Sequence, residues 1–234
     1  GWRIDGEKMW TTGMHTASHC LLFARSSGNA GDARGISAFI VPARSPGVKI
    51  EEYLWTFNMP TDHPRVSFTN VWVPESALLG PLGGGLAVAQ HFVHENRIRQ
   101  AASSLGAADF CVRESVKYAR ERKTFGVEIG QHQLVKEMIA QMESDYECAR
   151  LLWLRSGWLK NTGRRNTKET GLAKWFATVA SERAAGDAVQ IHGANGYSDE
   201  YPVGRFYRNC KGAVIYEGTR EIHKLMQADY VLGF

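Results

Sequence analysis

Hydrophobic and polar positions alternate with period two over the first third of the chain and with a helical period after it. Strand-like runs fall at residues 20–24, 36–41, 48–53 and 65–73. In the last of them Val66, Phe68, Asn70 and Trp72 alternate with Arg65, Ser67 and Thr69, which predicts a strand with one solvated face. Asp5-Gly6 between the alternating segments of residues 2–10 predicts a tight hairpin. Beyond Gly83, Gly84 and Gly85 the period changes. Ile98, Ala101, Leu105, Ala108, Val112, Ser115 and Ala119 form one helical stripe, and Val135, Ile139, Met142, Tyr146, Ala149 and Trp153 form a second. A third helix is predicted from Asn166, with Glu169 completing a capping box, and carries Leu172, Phe176 and Val179. Pro202 suits the first turn of a fourth, short helix, and a last helix is predicted over 219–231.

Proline supports the same division. Six of the 7 prolines lie at or before Pro81 and the seventh is Pro202, so the long middle stretch is free to be helical. The expected fold class is α+β: an antiparallel β-sandwich or barrel-like domain at residues 1–78, followed by an antiparallel four-helix-bundle domain at 79–234. A parallel sheet is not expected, because no helices are interleaved with the strands.

At 234 residues and 44% hydrophobic, the chain can bury a substantial core. A net charge of +4 without a long basic run argues against a nucleic-acid binder, and the apolar runs are too short for a membrane-spanning helix. Residues 1–81 carry seven basic and seven acidic residues, so the excess charge belongs to the helical part. Cys20, Cys111, Cys148 and Cys210 are widely spaced and form no CxxC pair, which favours a reducing compartment over a disulfide or zinc scaffold. The opening Gly-Trp in place of Met is consistent with a fragment or a processed product.

Weak motifs come first among the candidates for chemistry. The glycine triplet is followed by no Gly-Lys-Ser/Thr and reads as a hinge. His15 with His19, and His91 with His94 and Glu95, have conceivable zinc spacing but no HExxH or cysteine pair, so no metal is expected. Three segments are more demanding. Met9-Trp10-Thr11-Thr12-Gly13 sets a large aromatic beside hydroxyls, either as a buried strand end or as the wall and donor of a planar-ligand site. Arg120-Glu121-Arg122-Lys123-Thr124-Phe125-Gly126 is a basic connection between the longest helices, able to receive phosphate or simply to complement a helix dipole. Gln190 to Tyr197 and Ile215-Tyr216-Glu217-Gly218-Thr219 are polar, glycine-bearing junctions. Glu217 stands alone among Ile, Tyr and Gly, where desolvation would raise its pKa toward that of a working base; a dipole partner at a helix start is the other reading.

The ordered set KMWTTG, RERKTFG with QHQ, QIHGANGYSDEYPVGRFYR and IYEGT resembles the acyl-CoA dehydrogenase family over essentially the whole chain. The resemblance covers the later part of that family's middle β domain and its C-terminal helical domain. The N-terminal helical domain, the first part of the β domain and a TEPxxGSD-type loop lie outside it. It implies an FAD-dependent oxidoreductase that converts an acyl-CoA to a trans-2-enoyl-CoA in fatty acid β-oxidation, handing electrons to an electron-transfer flavoprotein. An acyl-CoA oxidase or related flavin monooxygenase on the same fold, or a non-catalytic assembly fragment, are the alternatives.

Residue by residue, the resemblance makes Glu217 the catalytic base. Asn96, at the position where some members place the base instead, cannot take a proton. Arg97 corresponds to the arginine near the acyl-thioester end, with Tyr216 and Gly218 beside the substrate. Trp10 and Thr12 match the pair at the flavin ring, and Arg122, Thr124, Phe125 and Gln133 look like residues reaching the FAD of a neighbouring subunit. Gln190, Gly193 and Ala194 match a QxxGG stretch at the pyrophosphate, with Ala194 departing from the second glycine, and Thr219 is a further FAD contact. A homodimer or homotetramer in a bacterial cytoplasm or the mitochondrial matrix, not a secreted protein, is the expected setting.

Overall fold

The computed structural model describes residues 1–57 and 61–234. The chain divides into two compact units, Gly1–Phe92 and Val93–Phe234.

In the first unit, β1 (Trp2–Lys8), β5 (Pro64–Val73) and β4 (Val48–Tyr53) form one antiparallel sheet in that order. The second sheet has the order β2 (His19–Arg25), β3 (Ile36–Pro42) and β6 (Leu78–Leu79), also antiparallel. Alternation puts Ile4, Val66 and Phe68 of the first sheet into one core with Leu22, Phe39 and Val41 of the second. The register shift opposite Thr69 and Asn70 then switches the face, so Val71 and Val73 are buried and Asn70 and Trp72, expected beside Phe68, are exposed. Trp2 meets Phe39 edge to face at 5.6 Å across this core.

The expected hairpin fails as well. Asp5-Gly6 does not turn the chain; β1 runs straight through, and its register against β5 shifts between Ile4 and Gly6. The extra length is absorbed as a bulge, where the Asp5 carboxylate accepts the backbone N–H of Asn70 at 2.6 Å, and Asn70 itself adopts φ 52°. The side-chain acceptor satisfies a donor that the interrupted ladder leaves over, so the Asp-Gly signal is spent on a bulge.

In the second unit α1 (Gly85–Glu121) continues beyond its first turns and is followed by the small ribbon β7 (Lys123–Thr124) and β8 (Val127–Glu128). Next come α2 (Gln133–Asn161), α3 (Thr167–His192), the single turn α4 (Ala194–Tyr197), α5 (Val203–Ala213) and α6 (Arg220–Leu232). The α1 stripe is buried from Ala101 to Ala119 and packs with Met142 and Ala149 of α2. α3 is central, with buried residues on most of its circumference: Gly171, Ala173, Ala177, Thr178, Ser181, Ala184 and Ala188. Such small residues let neighbouring helices approach closely; a Cβ on Gly171 would lie 1.9 Å from Met226 Cε of α6.

The expected capping box at α3 is absent. Asn166 donates its amide to the Ser156 carbonyl at 3.1 Å and pairs with His94 Nε2 at 3.0 Å, while Glu169 faces Arg155. Tertiary partners outcompete the local cap. Pro202 precedes α5 with φ −71°, and Thr219 caps α6 by accepting the Ile222 N–H at 3.4 Å.

Candidate functional site

Glu217 lies in the short loop between α5 and α6, in an unusual backbone. It has φ 58° and Gly218 has φ 94°, so two successive residues are left-handed and only one is glycine. Two basic side chains hold this shape. Arg97 of α1 donates from Nε to the Glu217 carbonyl at 3.0 Å, and Lys174 of α3 donates from Nζ to the Gly218 carbonyl at 2.8 Å. The N–H of Glu217 has no backbone acceptor among the described residues. Gly218 is required by space as well as by φ, because a Cβ there would lie 3.1 Å from Arg97 Nη2 and 3.2 Å from His223 Nε2.

The electrostatics are concentrated. The Glu217 carboxyl is half-buried and makes no hydrogen bond or ion pair among the described residues. Burial raises its pKa, while Arg99, Arg97 and Lys174 act through space to lower it. Lys174 is 0% exposed; desolvation, then Arg97, push its ammonium down to about 8, against the pull of Glu217. His223, also 0% exposed, has neither ring nitrogen hydrogen-bonded among the described residues. Desolvation, then Arg97 and Lys174, hold it down to about 4; the backbone of Glu217 and Gly218 is near enough to favour protonation but makes no hydrogen bond to the ring. Burial also lowers the Arg97 pKa and raises that of Tyr216. The arrangement is one carboxylate, desolvated enough to be basic, beside cations that favour its ionised form.

Sequence reasoning grouped Glu217, Arg97, Tyr216, Gly218 and Thr219, and the structure brings them together. It missed Lys174 and His223. Lys174, in Ala-Lys-Trp-Phe, reads as a solvated lysine, and His223 reads as one polar residue of an amphipathic helix. The one available signal was position: His223 stands on the first turn after the glutamate.

The other candidates form separate groups. Thr124 and Val127 close a two-residue turn whose Phe125 and Gly126 have φ 51° and 83°, the geometry of a type I′ hairpin. This displays Phe125 at 97% exposure, while the Thr124 hydroxyl meets His132 Nε2 at 3.0 Å beside Gln133 at the start of α2. Arg122 lines a cavity of about 280 Å³ with Glu114, Tyr118, His192, Asn195 and Tyr201. Within it Tyr118 stacks on His192 at 4.2 Å and accepts the Asn195 amide at 3.0 Å. Gln190, Gly193 and Ala194 make the exposed α3–α4 junction, where Gly193 has φ 61° and open space where a Cβ would project.

In the first unit Trp10, with φ 60° and 57% exposed, follows β1. The Thr12 hydroxyl is 2.8 Å from His63 Nδ1, and backbone bonds from Thr11 to Pro64 and from Gly13 to Asp62 fasten the two loops together. In the first unit, an exposed Trp10 face beside the Thr12 hydroxyl suits a planar ring; in the second, separately, Arg122 beside a polar cavity suits a phosphate. Among the described residues no helix is long and apolar enough to cross a membrane.

Two family models match the chain: "Acyl-CoA dehydrogenase, middle domain" at residues 1–71 and "Acyl-CoA dehydrogenase, C-terminal domain" at 83–232. It is 38% identical over 233 residues to an acyl-CoA dehydrogenase of Bacillus subtilis, covering 98% of this chain and 61% of that protein. It is 34% identical over 232 residues to the caffeyl-CoA reductase-Etf complex subunit CarC of Acetobacterium woodii, covering 98% of this chain and 60% of that one. The structure of butyryl-CoA dehydrogenase from Megasphaera elsdenii superposes with a TM-score of 0.92 at 30% identity, covering 98% of this chain and 60% of its own. The chain therefore spans about three fifths of the length of these relatives.

Proposed function

Because the chain belongs to the acyl-CoA dehydrogenase family, we propose that the whole protein oxidises the α,β-carbon pair of an acyl-CoA thioester to the trans-2-enoyl-CoA, with Glu217 as the base. The observation that carries this reading is the state of the Glu217 carboxyl: half-buried, raised in pKa, unpaired, and held in a loop whose carbonyls are both engaged. An α-proton beside a thioester is a weak acid, so its removal needs a carboxylate of raised basicity. It also needs a donor for the charge that develops on the thioester oxygen. The uncommitted N–H of Glu217 is such a donor, and Arg97, Tyr216 and Gly218 border the same place.

FAD, when bound, supplies the hydride acceptor. Trp10 and Thr12 would hold its ring. Gln190, Gly193 and Ala194 would lie at its pyrophosphate, and Thr219 would make a further contact with it. Arg122, Thr124, Phe125 and Gln133 would reach the FAD of a neighbouring subunit in a homodimer or homotetramer; the 97% exposure of Phe125, whose ring meets only His132 edge to face at 6.2 Å among the described residues, supports this. An electron-transfer flavoprotein is the proposed acceptor, supported by the relative named as part of an Etf complex. Fatty acid β-oxidation in a bacterial cytoplasm or mitochondrial matrix is the proposed setting.

The test is Glu217→Gln. The variant should keep flavin absorbance and lose its bleaching by acyl-CoA. Bleaching at the wild-type rate would overturn the assignment, and oxygen consumption matching substrate turnover would replace the dehydrogenase with an oxidase.

A further inference from the structure

We propose that Lys174 is a positioning residue for Glu217, gripping the Gly218 carbonyl so that the carboxyl and N–H of Glu217 keep one orientation. The inference rests on Glu217 being the base. Four observations support it. Lys174 is completely buried, which is unusual for lysine, and its ammonium's one hydrogen bond among the described residues is the 2.8 Å contact to Gly218. That contact falls on the second of two left-handed residues, and Arg97 holds the carbonyl of the first at 3.0 Å. A backbone in this conformation persists only where its surroundings over-determine it. Finally, Lys174 emerges from α3, whose small residues pack against several neighbours and leave it little freedom to move.

A buried amine of this kind has two separable effects: a hydrogen-bond grip and a charge. The charged and titratable groups facing it are Arg97 from α1, Glu217 from the loop and His223 from α6. Arg97 disfavours the ammonium and Glu217 favours it, while His223 is neutral near neutral pH. The charge helps to keep Glu217 ionised, and the grip fixes where its carboxyl points.

Lys174→Met removes both effects with little change in side-chain volume, whereas Lys174→Gln keeps a donor and removes the charge. The purified flavin-loaded protein is compared for kcat, KM, thermal midpoint and the ¹³C carboxyl titration of Glu217, assigned by its disappearance in Glu217→Gln. For Lys174→Met, kcat should fall on the order of 100-fold with KM unchanged, as for a displaced catalytic group. The Glu217 midpoint should move to higher pH. Lys174→Gln should recover much of kcat but keep the raised midpoint.

Wild-type kcat together with an unmoved midpoint in Lys174→Met would overturn the proposal. So would lost thermal stability with no change in midpoint, which marks a merely structural lysine. If Lys174→Met does not fold, Lys174→Arg, which keeps the charge but cannot place a donor at the same point, takes its place, and a wild-type kcat there overturns the proposal. The two readings fail separately: an active Glu217→Gln sinks the assignment of the base, whereas an inactive Glu217→Gln beside silent Lys174 variants sinks only the role of the lysine.

Discussion

The guanidinium of Arg97 donates to the main-chain carbonyl of Glu217, not to its carboxylate, at 3.0 Å. The arginine thus shapes the loop directly and influences the carboxyl only through space. Arg97→Lys keeps the charge but loses the planar Nε–H donor. Its expected signature is a fall in kcat of about tenfold or more, since misplacing a reacting group slightly is costly. Steady-state kinetics beside flavin content check it; an undiminished kcat would show that charge alone suffices.

Gly218→Ala meets two obstacles together. Its φ of 94° is unfavourable for any L side chain, and the added methyl would press on Arg97 and His223. The expected cost is at least about 1 kcal/mol of stability, with kcat reduced further because the neighbouring peptide must turn. Thermal unfolding read beside kcat tests both parts.

His223 makes stability depend on pH in a defined direction. Its pKa falls from 6.5 in the unfolded chain to about 4 in the folded protein. Between those values the unfolded state binds more protons, so stability rises with pH and is fully present above about 6.5. At about 1.4 kcal/mol per unit, acidification through this window costs about 3 kcal/mol. His223→Leu should flatten the fall in thermal midpoint from pH 6.5 to 4; an unchanged slope would place the acid sensitivity elsewhere.

Phe125 separates stability from binding. It occupies a left-handed position that suits glycine and is almost wholly exposed, so Phe125→Gly loses little packing and relieves strain. Stability should hold or rise by up to about 1 kcal/mol, while the FAD retained through dialysis falls. Full flavin retention would leave the ring's display unexplained by cofactor binding.

Legibility in the sequence followed amphipathicity. The strands and the stripes of α1 and α2 were readable because each buries one face, so polarity marks the other. α3 was readable only as a helix: neighbours surround it, and the face inferred from Leu172, Phe176 and Val179 is less buried than the alanines and threonines between them. Lys174 was lost in the same way, since nothing in its flanking residues announces burial. Asp5-Gly6 misled because a bulge and a hairpin use the same dipeptide, and only the partner strand's Asn70 decides between them. The glutamate loop was found through its motif, but its two-cation clamp depends on α1 and α3, far away in sequence.

The tight seat of α3 bears on any attempt to redesign the surroundings of the proposed base. A helix faced with alanine, glycine, serine and threonine offers no slack in which a larger side chain could be absorbed. Enlarging one of these residues would shift Lys174 along with the backbone that carries it, so a change made from this side would also displace the Glu217 loop that it holds. Variation in substrate range is therefore better sought on walls that do not anchor the glutamate loop.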